Sequence, residues 1–262
     1  MKKNILKLTA LCIICALIFT FKSCKNPDFS LKEIEGEQIQ KPSTRSGKGL
    51  VWDYPIQPGS EEWKQFTSYV QMVQACLVPA DVLARMTTEE LVEVCINYPL
   101  RFKFYLYDNL QTGFKKVTND FNGLQELLVR EDNVQCLIDV LQETDLETLP
   151  QRNLSNIETG NLIISYTFVE AMLSHESVIA RATPEQQRQI AALSAKNMSL
   201  KEQQTEAYSR QSFEASAYLL CAGLKRINGN IAPDLEKFLQ TGSLQNDSQV
   251  NALKSLSQAL NR

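Results

Sequence analysis

His175 is the single histidine in 262 residues, so any imidazole chemistry, acid–base or metal-binding, would have to pass through it. A zinc protease helix would follow His175-Glu176 with a second histidine at 179, where this chain has Ile179. A serine nucleophile would want a G-x-S-x-G elbow, and a nucleotide site would want a glycine-rich phosphate loop; neither motif is present. Of seven cysteines, Cys76, Cys95, Cys136 and Cys221 lie in the body of the chain. None of these four forms a C-x-x-C pair, and zinc sites are built from closely spaced thiolates and imidazoles. They read as small buried hydrophobes on helix faces, with a disulfide among them as the alternative. The carboxylate pairs Glu61-Glu62, Glu89-Glu90 and Glu131-Asp132 fall where first helical turns begin, and there they complement the helix dipole. No catalytic residue, no metal and no cofactor emerges from these patterns, and the chain is not expected to be an enzyme.

The one covalent chemistry the residues do encode is at the N-terminus. Lys2, Lys3 and Lys7 precede an unbroken apolar run from Leu8 to Phe21. As a helix that run would reach only about 21 Å, against a hydrocarbon core of roughly 30 Å. It fits an export signal better than a permanent span. No A-x-A-like site comes after it; instead Phe21-Lys22-Ser23-Cys24 resembles a relaxed bacterial lipobox. The match departs from the strict pattern at Lys22. Residues 1–23 are then a lipoprotein signal peptide and Cys24 is the lipid attachment site. Several acyl chains at about 0.8 kcal/mol per buried methylene give stable anchoring where one does not. This places the chain in the cell envelope, tethered to a bilayer, with the outer membrane (periplasmic or surface face) as the expected site.

Residues 24–58 carry Pro, Gly, Ser, Lys and Glu with little apolar periodicity, the composition of a flexible tether. Within it, the aromatics of Val51-Trp52-Asp53-Tyr54-Pro55 are expected to dock onto the helical domain beyond residue 58. The net charge is −3, and a leader ending at Ser23 takes four lysines with it. No clustered Lys and Arg remain to face nucleic acid or anionic lipid, so no nucleic-acid partner is expected.

From residue 59 to 262 helix signals recur and strand signals are nearly absent. Ser60 is expected to cap a helix with the stripe Trp63, Phe66, Val70, Val73 and Leu77. Thr87 and Glu90 have capping-box spacing. Gly113 reads as a break, with helices then expected over 114–130 (Asn122-Gly123 being its weak point), 133–142 and 160–174. Thr183-Pro184 starts another, and Ser199 with Glu202 is read as opening a long run to Ile227. One helix capped by Asp234 and one over 247–261 complete the chain. Segments 73–89 (VQACLVPADVLARMTTE) and 169–185 (VEAMLSHESVIARATPE) share eight of 17 positions at an offset of 96 residues. A duplicated helix–turn–helix unit would explain this, and Arg85 and Arg181 would then cap helix carbonyls. The fold class is all-α: helical pairs in a curved solenoid-like (HEAT-like) array, with a compact helical bundle as the alternative.

The richest segment is residues 97–110, NYPLRFKFYLYDNL. Its aromatics read first as core; as the alternative, Tyr98, Phe102, Tyr105 and Tyr107 would form a binding surface. The stretches MTTEELVEVCINYPL and NDFNGLQELLVR, within residues 60–141, resemble a region of secreted or lipidated helical proteins of Bacteroidota. That resemblance implies location and ancestry and carries no activity. The functional expectation is a membrane-anchored, non-catalytic module that binds an envelope protein, with a glycan- or peptide-binding lipoprotein as the alternative and a hydrolase third.

Overall fold

The computed structural model describes residues 52–260, with side chains to residue 256; the expected signal peptide, Cys24 and most of the expected tether lie outside the described residues. Among the described residues every regular element is a helix. The chain enters through Trp52 and Tyr54, both buried as expected. Tyr54 donates its hydroxyl to the Val94 carbonyl at 2.8 Å and packs its ring beside Tyr98 and Phe121.

The first expected helix is in fact two, α1 (Glu61–Lys64) and α2 (Tyr69–Ala75). Ser68 intervenes with a complete capping box to Gln71, satisfying amides that a continuous helix would have paired internally. A one-turn helix α3 (Ala80–Leu83) comes next, then α4 (Thr88–Ile96), whose N-terminus carries the Thr87–Glu90 capping box. A 3-10 turn over Arg101–Leu106 leads to α5 (Leu110–Asp120). Gly113 does not break the chain but lies inside α5. A Cβ there would sit 2.0 Å from the carbonyl oxygen of Phe104, so only glycine lets α5 lie directly on the 3-10 turn. The expected helix over 114–130 divides at the extended Phe121 into α5 and the short α6 (Asn122–Leu127).

The second half contains α7 (Asn133–Glu143), α8 (Asn156–Ser174), the one-turn α9 (Glu176–Ile179), α10 (Pro184–Gln203), α11 (Arg210–Asn228), α12 (Pro233–Thr241) and α13 (Asp247–Leu260). Helix α8 begins four residues before Gly160, because Ser155 forms a capping box with Glu158. Ser199 is not a cap. It lies inside α10, which Thr183 has already capped, and the chain breaks instead at 204–209 before Ser209 caps α11. Helix α12 begins at Pro233 with Ala232 as its N-cap residue, so Asp234 stands in its first turn rather than capping it.

The two matched segments have the same local structure: a helix end, a one-turn helix, and a threonine-capped helix. The register also recurs between them. Val82-Leu83-Ala84-Arg85 stands two residues before Thr87, Leu127-Leu128-Val129-Arg130 two before Asp132, and Val178-Ile179-Ala180-Arg181 two before Thr183. In each, the first two aliphatic side chains are buried. Arg130 donates Nη2 to the Leu83 carbonyl and Nη1 to the Met86 carbonyl, both at 3.1 Å. One register later, Arg181 donates Nη2 to the carbonyl of Leu128 at 2.5 Å. Arg85 reaches only its own turn, donating to the Asp81 carbonyl and pairing with its carboxylate. Asp132 makes no cap of its own; its carboxylate accepts the Thr88 hydroxyl at 2.6 Å, a further bond across the α4–α7 junction.

The packing repeats these registers. Helix α4 lies against α7, α7 against α10, and α10 against α13, while α5 lies against α8 and α8 against α11. The ring of Phe168 packs tilted against Phe104 at 5.1 Å and edge-on against Phe114 at 5.4 Å, joining the 3-10 turn, α5 and α8. The start of α5 also meets the end of α12. Asn109 caps α5 through Oδ1 to the Thr112 amide at 2.8 Å, and donates Nδ2 to the Thr241 carbonyl at 3.1 Å.

Candidate functional site

The residues singled out by sequence do not converge on a reactive centre. Tyr98 is fully buried, its ring stacked on Phe121 at 4.1 Å and 7°, so it belongs to the core and not to a binding surface. Phe102 and Tyr105 are partly buried and pack on the same core, and Tyr107 is half-buried. Lys103 lies over the ring of Tyr69 at 2.9 Å from its centroid, covering a face that a sugar ring could have used. The aromatic segment is therefore a hydrophobic wedge between α5 and the rest of the core.

His175 stands at a helix junction and is half-buried. Its Nδ1 lies 2.9 Å from Ser177 Oγ and accepts from the Ser177 amide, and its ring packs near Phe114. Burial, the largest influence, holds the imidazole below the ordinary histidine range, which favours the neutral ring such a cap requires. Ser177 donates its hydroxyl to the Leu128 carbonyl, so this histidine–serine pair serves the junction between α9 and the end of α6. The four cysteines are buried free thiols. Burial pushes Cys76, Cys136 and Cys221 up to about 12, leaving them protonated and poor nucleophiles. Among the described residues no group of His, Cys, Asp and Glu has the geometry to hold a metal ion.

Sequence reasoning missed a buried ion pair. Lys201 of α10 and Glu170 of α8 are 1 % and 0 % exposed, with Nζ and Oε2 2.7 Å apart. The ammonium also donates to Ser216 Oγ at 2.9 Å and to the Ser212 carbonyl at 3.1 Å, and Ser216 donates to Glu170 Oε1 at 2.6 Å. A lysine beside a serine is the arrangement of a Ser–Lys dyad. Here it is sealed on every side and its donors and acceptors are spent on one another, so it joins α8, α10 and α11 instead of meeting a substrate. The only advance signal was a lysine and a glutamate on otherwise apolar helix faces, which a single sequence does not distinguish from solvated positions.

The surface offers a groove of about 620 Å³ between α4 and α7. Its floor is Val92, Ile96, Val140 and the thiol of Cys136, and its walls carry Glu89, Glu90, Glu93, Asp139 and Glu143. No lysine or arginine lines it, and none of the five carboxylates has an ion-pair partner among the described residues. A second cavity of about 580 Å³, beside α11 and α12, is different in kind: Glu176 pairs with Arg226 and Glu236 with Lys225, so its charges neutralise one another. No family model, known protein or solved structure matches the chain.

Proposed function

We propose that the chain is a lipid-anchored envelope protein whose helical domain is an array of interlocked helical units acting as a non-catalytic docking module for a protein partner. The observation that carries this reading is the junction between successive units. An arginine of one unit holds carbonyls of the unit before it, and the helices that follow the three registers stack as α4, α7 and α10, with α13 against the last. Stacked arrays of this kind present long inter-helix surfaces, and their use is recognition. Between α4 and α7 such a surface forms a groove of about 620 Å³. Acylation at Cys24 would hold the module at the bilayer, the tether giving it a reach of roughly 30 Å.

Recovering the protein from gently solubilised envelopes, and identifying what accompanies it, tests both halves. A stoichiometric protein partner is expected, together with loss of membrane association in Cys24→Ser. A chain recovered alone, or a Cys24→Ser variant that fractionates with membranes as before, would overturn the corresponding half of the proposal.

A further inference from the structure

We infer that the α4–α7 groove receives a partner segment that alternates apolar side chains with lysine or arginine. This rests on the docking function proposed for the array and adds the chemistry of the occupant. The groove floor is apolar and concave: Val92 and Cys136 are buried within it, and Ile96 and Val140 are only partly covered. Exposed apolar surface in a concavity is stabilised by an apolar occupant. The walls decide which one. Ten ion pairs are distributed over the described residues, yet Glu89, Glu90, Glu93, Asp139 and Glu143 face a common space with no cation among them. Like charges held on neighbouring helices repel; Glu90 accepts the Thr87 amide and Asp139 the Gln135 side chain, but no positive charge lining the groove offsets that repulsion. An occupant bearing lysine or arginine removes it, and an acidic occupant adds to it. Cys136 records the same field: burial first, then the nearby Glu89, Asp132 and Asp139 carboxylates, keep its thiol protonated, so the floor stays neutral and apolar.

The test uses the full acylated chain in detergent and two synthetic amphipathic peptides, one of leucine and lysine, the other of leucine and glutamate. Fluorescence anisotropy is expected to show binding of the first and none of the second, weakening as salt is raised. The triple variant Glu93→Gln, Asp139→Asn, Glu143→Gln should weaken binding at least about tenfold. A control, Glu61→Gln with Glu185→Gln, should not. Equal binding of both peptides, or an unchanged affinity in the triple variant, overturns the inference. Folding of the triple variant is checked by thermal unfolding at low ionic strength, where relief of repulsion predicts an unchanged or raised midpoint; a lowered midpoint contradicts the unrelieved repulsion itself. A native partner that the triple variant still captures would leave the docking function standing and remove the groove. If the parent chain captures no native partner, the docking function itself falls.

Discussion

Arg130 reaches from the end of α6 to the Leu83 and Met86 carbonyls, 47 and 44 residues earlier, and so closes the end of α3 with a distant side chain. Arg181 makes the corresponding contact on the Leu128 carbonyl. Helix ends leave carbonyls without intrahelical partners, and a charged donor there contributes more than a neutral one. Arg130→Met should therefore cost about 1.5–3 kcal/mol, whereas Arg85→Met, removing an exposed pair within one turn, should stay within about 0.5 kcal/mol. Chemical denaturation of the two variants checks the contrast, and equal costs would contradict the interlock.

Gly242 ends α12 in the left-handed conformation at φ +70°, and a Cβ there would meet Asn109 Cγ at 2.8 Å. Gly229 has φ +75° with open space around its missing Cβ. Gly229→Ala should thus show the backbone cost alone, about 1 kcal/mol, and Gly242→Ala a larger one. Combining Gly242→Ala with Asn109→Ala should recover part of the excess, because the clash lies in the Asn109 side chain. Strict additivity of the two changes would mean the contact between α5 and α12 is not tight.

The buried pair predicts strong coupling. Lys201→Met strands a buried carboxylate and Glu170→Leu a buried ammonium, each at about 3–5 kcal/mol. The double variant should be less destabilised than either single one. A double-variant cost equal to the sum would contradict the coupling.

His175 gives a pH dependence with a definite sign. Its folded pKa is lowered by burial, so the unfolded chain takes up a proton first as pH falls. The stability it contributes is present above about pH 6.5 and is lost as pH falls through the folded pKa. His175→Asn should keep a capping side chain and lose less stability than the parent between pH 7 and pH 5. Parallel curves would contradict the assignment.

Much of the helical punctuation is legible in the sequence because it is local chemistry. Thr87 with Glu90, Thr183 with Pro184, and the stop before Pro99 each act within one turn, and the structure has all three. Gly113, Ser199 and the two-part helix at Ser68 depart from expectation because their outcome depends on partners far along the chain or on a competing cap. Gly113 is set by Phe104 across a helix interface, which no local pattern reveals. The middle register is hidden because Leu127-Leu128-Val129-Arg130 shares only the arginine with both counterparts, and one leucine, Leu128 with Leu83, with the first. The candidate groove is not legible at all: Glu89, Glu93 and Asp139 read as ordinary solvated helix positions until α4 and α7 are laid side by side.

The central claim is that the groove between α4 and α7 is a docking surface for a protein. A photo-crosslinking residue placed at Val140, on the groove floor, and irradiated in intact cells tests it most directly. One discrete crosslinked protein is predicted, absent when the same residue is placed at the exposed Glu206. No adduct at Val140, or the same adducts from both positions, would contradict it.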